Sequence, residues 1–181
     1  MPEESPIPKT DPTRLQTVAR VLARHGVEFI VIGGQAEYLM GSPRATFDVD
    51  LCYARSKQNI QALANALIEL NAKLRGVPEG LPFKLDARTL EMGGNFTFTT
   101  SVVDLDMLAW VEPLGDYEAV RKAAQEFEVG GMKLRVISLD DLIRVKQHVN
   151  RPKDRESLYH LLAIKRILAE HGTDDPTKPV G

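Results

Sequence analysis

The stretch VIGGQAEYLMGSPRATFDVDLCYA, from Val31 to Ala54, constrains this chain more than any other. A short apolar strand, VEFIVIGG, stops on two glycines. A short helix, QAEYLMGS, follows, and ATFDVDLCYA reads as a second strand of alternating character. Residues two apart on a strand share a face. If ATFDVDL is extended, Thr46, Asp48 and Asp50 line one face, and Phe47, Val49 and Leu51 line the other. The apolar set suits a core. The acidic set has to meet solvent, a cationic partner or a metal.

The flanking chain supplies the rest of a mixed α/β architecture. Asp11-Pro12 reads as an N-cap followed by proline at the first helical position, and Leu15, Val18 and Leu22 mark one helical face closed by His25-Gly26. Ser56 opens another helix, with Ile60, Leu63, Leu67 and Leu70 at helical spacing. GVPEGLP is a loop, and the residues from there to Gly93-Gly94 carry no clear period. NFTFTTSVVDLDMLAWV is strand-rich, GDYEAVRKAAQEF is expected to be helical, and EVGGMKLRVI reads as paired strands around Gly130-Gly131. Ser138 opens a helix with a capping-box-like start, RPKD interrupts it, and a last helix carries Leu158, Leu161, Leu162 and Leu168 up to Gly172. The order predicts a small mixed sheet flanked by helices: one domain over 11–172, with a helical C-terminal segment over 138–172. Residues 1–10 and 173–181 read as flexible polar tails.

A second acidic pair changes the weight of the first. Asp104 and Asp106 also lie two apart in an apolar, strand-like stretch. Where two such strands are neighbours, three or four carboxylates converge, and a divalent cation relieves their repulsion. Oxygen ligands without Cys or His fit Mg²⁺ or Mn²⁺ better than zinc. Gly33-Gly34, between strand and helix, either lets backbone N–H groups approach a phosphate or makes a tight turn.

Composition narrows the classes. With 23 Lys plus Arg against 25 Asp plus Glu and a formal charge of −2, the chain is not a strongly basic nucleic-acid-coating protein. Cys52 is the only cysteine, which excludes an internal disulfide and Cys-based zinc sites. A reducing, cytoplasmic setting is the simplest expectation. MPEESPIPKTDP lacks the apolar core of a secretory signal, and no run approaches the ~18 apolar residues of a membrane helix.

Together the pattern G-G-x9-R-x-T-x-D-x-D, the segment FTFTTSVVDLDMLAWVEPLGDYEAV and the segment SLDDLIRVKQHVNRPKDRESLYHL resemble the minimal nucleotidyltransferases of the polymerase-beta-like superfamily. The likeness spans about residues 27–165 and is similar to the branch that includes AbiEii-type toxins of toxin–antitoxin pairs. The resemblance implies a nucleoside triphosphate (NTP) substrate and two divalent ions, Mg²⁺ or Mn²⁺, at one end of a mixed sheet. It assigns Gly33 and Gly34 to the triphosphate, and Asp48 and Asp50 to the metals. Asp106 takes the place of the third carboxylate, with Asp104 as the competing choice. The nucleotide set also takes in Arg44, Thr46, Lys146 and Arg151. Arg44 is expected either to contact phosphate or to pair with Asp48. Asp154 is expected to cap a helix or to orient Lys146 or Arg151. Trp110 and the phenylalanines are expected in the core.

The function so implied is metal-dependent transfer of a nucleoside monophosphate from NTP to an acceptor that is RNA (a tRNA end included), protein or a small molecule. A toxin-like role with an antitoxin partner goes with the branch. The competing reading is a catalytically silent nucleotide- or partner-binding module on the same fold.

Overall fold

The computed structural model describes residues 12–172, so the expected Asp11 cap and both tails lie outside the described residues. The chain opens with α1 (Pro12–Arg24), whose Leu15, Val18, Ala19 and Leu22 are buried at helical spacing. Strand β1 (Phe29–Ile32) runs straight into α2 (Gly33–Leu39), and β2 (Val49–Tyr53) follows after an irregular segment. Helix α3 (Lys57–Glu69) starts at Ser56, whose side chain accepts a hydrogen bond from Asn59 N, satisfying an otherwise orphaned helix donor.

The stretch without a clear period contains β3 (Lys73–Leu74) and α4 (Ala87–Met92). Next come β4 (Phe96–Thr99), β5 (Asp104–Leu108), the short pair β6 (Trp110–Val111) and β7 (Gly115–Asp116), and α5 (Tyr117–Arg121). The hairpin β8 (Gln125–Val129) and β9 (Met132–Val136) leads to α6 (Leu139–Val149) and α7 (Pro152–Glu170).

Seven strands form one mixed sheet in the order β3-β4-β5-β2-β1-β9-β8, and β6-β7 stand apart. At its centre β2 pairs antiparallel with β1 and parallel with β5, while β1 pairs parallel with β9. Val49, Leu51, Cys52, Tyr53, Leu105 and Met107 on the two central strands are fully buried. Burial pushes the Cys52 thiol up to about 12, with the Asp116 charge adding to it, so this cysteine is not a nucleophile.

Three expectations are corrected. The helix foreseen over GDYEAVRKAAQEF ends at Arg121, because Gln125, Glu126 and Phe127 pair across the hairpin with Val136, Arg135 and Leu134. Hairpin pairing that buries Phe127 and Val129 outweighs a helical composition. The second strand begins at Val49 rather than at Ala45, so Phe47 leaves the core and is 63% exposed. Trp110 is 53% exposed instead of buried. Among the described residues, no helix is long and apolar enough to cross a membrane.

Candidate active site

Register brings the carboxylates together. In the parallel β2–β5 ladder, Asp50 stands opposite Asp106. Both residues are only partly buried, whereas their strand neighbours Val49, Leu51, Leu105 and Met107 are fully buried. Asp48 lies just before β2, where its carbonyl accepts hydrogen bonds from Gln35 Nε2 at 3.4 Å and Thr46 Oγ1 at 3.3 Å. Thr46 and Gln35 thus set the backbone that carries Asp48.

Asp50 registers the crowding. Burial pushes its carboxyl up to about 6; the charges of Asp106 and Asp48 and a hydrogen bond with Asp106 push the same way, and Lys146 opposes them. The glycines explain how the carboxyl is accommodated. Gly33 and Gly34 are the first two residues of α2, and a Cβ on Gly33 would overlap the Asp50 carboxylate. Gly33 also has φ +62, a conformation that L side chains rarely adopt. A Cβ on Gly34 would overlap the Thr46 hydroxyl. The Gly-Gly pair therefore has a reason within the protein itself: it lets the second strand lie against α2.

Two clusters of charge flank these carboxylates. On one side Arg75, just past β3, reaches both members of the second pair, with Nη2 2.7 Å from Asp106 Oδ1 and Nη1 3.3 Å from Asp104 Oδ2. Arg75 thus bridges the second pair, with its shorter contact on Asp106, the residue that stands opposite Asp50. On the other side Lys146, on α6, is buried against Glu37 Oε1 at 2.7 Å and Asp154 Oδ1 at 3.5 Å. Ser157 Oγ donates to Glu37 Oε1 at 3.1 Å, which ties α7 to α2.

Asp154 takes both roles expected of it. Its Oδ2 accepts from the backbone N–H of Arg151 at 3.0 Å, closing a capping box, and from Arg151 Nε at 2.8 Å. Burial raises the Asp154 carboxyl, but the Arg151 hydrogen bonds and the Lys146 and Arg151 charges carry it below its ordinary range. Arg44 does not pair with Asp48: Nη1 donates to Lys153 O and Ser157 Oγ, and Nε pairs with Glu156 at 3.5 Å. It fastens the segment before β2 to α7. Sequence reasoning missed Arg75, Glu37 and Ser157, whose partners in the site lie 29 to 120 residues away.

Among the described residues, no three His, Cys, Asp or Glu side chains already stand in a metal-holding cluster. The donor set nonetheless fits a hard divalent cation: every candidate ligand is a carboxylate oxygen, and Asp50 and Asp106 crowd one another at a cost that added positive charge removes. Beside them opens a cavity of about 280 Å³, whose lining includes Gly33, Asp50, Trp110, Lys146 and Arg151.

No protein-family model matches the chain, and no curated protein matches it in sequence. Solved structures match in fold. The lincosamide antibiotic adenylyltransferase LnuA, solved with lincomycin bound, superimposes with a TM-score of 0.60 at 14% identity, over 86% of this chain and 98% of its own. The antibiotic-resistance factor ANT(2'')-Ia does so with a TM-score of 0.57 at 15% identity, over 89% and 90%. A protein of Thermotoga maritima named as a nucleotidyltransferase, TM1012, gives 0.53 at 17%, over 85% and 95%. The chain therefore has a nucleotidyltransferase-like fold, with the acidic strands β2 and β5 at its centre.

Proposed function

We propose that this protein is a metal-dependent nucleotidyltransferase that moves a nucleoside monophosphate from an NTP to an acceptor hydroxyl. The observation that carries the reading is the register of Asp50 against Asp106 on neighbouring strands, with Asp48 two residues upstream. The nucleotidyltransferase fold of the neighbours, two of them named for adenylyl transfer or its product, points the same way.

In this reading Asp48, Asp50 and Asp106 would hold Mg²⁺ or Mn²⁺, which when bound supplies charge neutralisation for the triphosphate and the departing pyrophosphate. Asp106 orients the acceptor hydroxyl and draws on its proton as the new bond to the α-phosphorus forms and the bond to the β-phosphate oxygen breaks. Lys146 and Arg151, anchored by Asp154 and Glu37, place positive charge toward the phosphates. The rigidity of that network makes it a positioning device, so most of the gain would come from fixed geometry and fixed charge. The acceptor classes are RNA, protein and small molecules.

A second reading, a nucleotide-binding module without turnover, has one observation in its favour. Arg75 sits on Asp106 Oδ1, where an acceptor hydroxyl would need to be received.

The test uses each of the four labelled NTPs with Mg²⁺ or Mn²⁺, offered with RNA, protein and small-molecule fractions. Transfer by the wild type that disappears in Asp48→Asn and Asp106→Asn supports the enzyme and names its acceptor class. Nucleotide binding without transfer in every fraction would favour the binding module.

A further inference from the structure

Trp110 is a large apolar side chain in a costly place. It is 53% exposed, yet both its ring and its backbone are hydrogen-bonded. Its Nε1 donates to Glu112 Oε1 at 3.0 Å, and Asn95 Oδ1 accepts from the backbone N–H groups of Ala109 at 2.9 Å and Trp110 at 3.4 Å. An indole fixed at ring and backbone loses little entropy when something lands on it.

The indole lines the cavity beside Asp50, and the lining is of two kinds. Leu142, Val145 and Val149 present an aliphatic stripe at i, i+3 and i+7 of α6, and Lys146 belongs to the same lining. Gly33, Asp50, Lys146 and Arg151 provide the polar part. A volume of about 280 Å³ is near the lower end of the roughly 300–1,000 Å³ of small-molecule sites.

The ligand that matches this lining is flat and apolar in one part and anionic in another. Neither Asp104 nor Asp106 belongs to the lining, and the cavity meets the carboxylates through Asp50. We infer that Trp110, backed by Leu142, Val145 and Val149, is the stacking platform for the nucleobase of the NTP. The inference rests on the nucleotidyltransferase reading above and adds to it the group that grips the base. Stacking on an indole tolerates every base, because each has a π face. Asn95, whose oxygen accepts from the Ala109 and Trp110 backbone, belongs to the same lining.

The chain offers its own reporter, since Trp110 is its only tryptophan. Intrinsic tryptophan fluorescence is followed while each NTP, or tripolyphosphate as the base-free probe, is added with Mg²⁺. Binding is measured in parallel by calorimetry. The expected result is saturable quenching by NTPs and none by tripolyphosphate. Trp110→Ala should weaken NTP binding by roughly 5- to 150-fold, the range that base–aromatic stacking provides, and leave tripolyphosphate binding unchanged. Trp110→Phe should restore part of the loss.

NTP binding without quenching, and with equal affinity in Trp110→Ala, would overturn the platform and leave the proposed function standing. Equal weakening of NTP and tripolyphosphate in Trp110→Ala would also overturn it, because the indole would then be acting through the fold. No binding of any NTP or of tripolyphosphate would overturn the inference together with the nucleotidyltransferase reading.

Discussion

Replacing Asp50 by Asn is expected to make the metal-free protein more stable, and by an amount that depends on pH. The Asp50 carboxyl stands at about 6 in the folded chain against an ordinary value of 3.8. A folded-state pKa raised above the unfolded one means that the folded state holds the proton longer. Below about pH 4 both states carry it, and Asp50 exerts no net penalty. Between about 4 and 6 the unfolded chain has released the proton while the folded one keeps it, so stability falls by about 1.4 kcal/mol for each pH unit. Above about 6 the loss is complete, at roughly 2.2 × 1.36, or about 3 kcal/mol.

Asparagine reproduces the neutral carboxyl in shape. Asp50→Asn should therefore match the wild type near pH 4 and exceed it by up to about 3 kcal/mol at pH 8, or about 6–12 °C in Tm for a chain of this length. The assay is thermal and urea denaturation in chelator across that pH range. Adding Mn²⁺ should then raise the wild type and leave the variant behind, because binding to the folded state alone stabilises it. A variant no more stable than the wild type at pH 8, or one with the same advantage at both pH values, would refute the reasoning. The first outcome would mean that Lys146 already compensates Asp50. The second would mean that the gain comes from packing rather than charge.

Three further outcomes follow from the same geometry. Gly33→Ala should lose about 1–3 kcal/mol in urea denaturation and bind Mn²⁺ more weakly, because the new Cβ overlaps the Asp50 carboxylate at a left-handed φ. Lys146→Met should lose about 3–5 kcal/mol, since it leaves Glu37 and Asp154 buried without their shared cation. A loss under 1 kcal/mol would show that Ser157 and Arg151 suffice for the two carboxylates. Arg75→Ala should tighten Mn²⁺ binding about fivefold, the scale of a partly exposed ion pair of about 1 kcal/mol, as followed by Mn²⁺ paramagnetic resonance. Unchanged affinity would mean that Arg75 and the cation do not compete for Asp106.

What the sequence made legible was whatever depends on local period. The apolar spacing of α1 and α3, the serine caps at Ser56 and Ser138, and the break at Pro152 all follow from residues within one or two turns of each other. The two D-x-D pairs were legible for the same reason, and their convergence needed only the guess that their strands are neighbours, which the β2–β5 ladder supplies. Arg44, Arg75, Glu37 and Ser157 were not legible in this way. An arginine next to a Gly/Pro loop and a glutamate in a short helix look like solvated surface. Only contacts across 29 to 120 residues turn them into partners of the site.

Trp110 is a different case, because its placement was available and went unused. Along β5 and into β6 the burial alternates: Leu105, Met107 and Ala109 are buried, while Asp104, Asp106, Leu108 and Trp110 are half-buried or exposed. The phase that turns Asp106 away from the core turns residue 110 the same way. A reading that trusts the period enough to place the third carboxylate has, by the same argument, placed the tryptophan on the same phase. What misled was residue type: a large aromatic is assigned to the core by default. Where the period and the default disagree, the exposed aromatic becomes the informative residue, because an indole left in water forgoes the stabilisation of burial. The fixed indole at the cavity beside Asp50 is what that disagreement identifies.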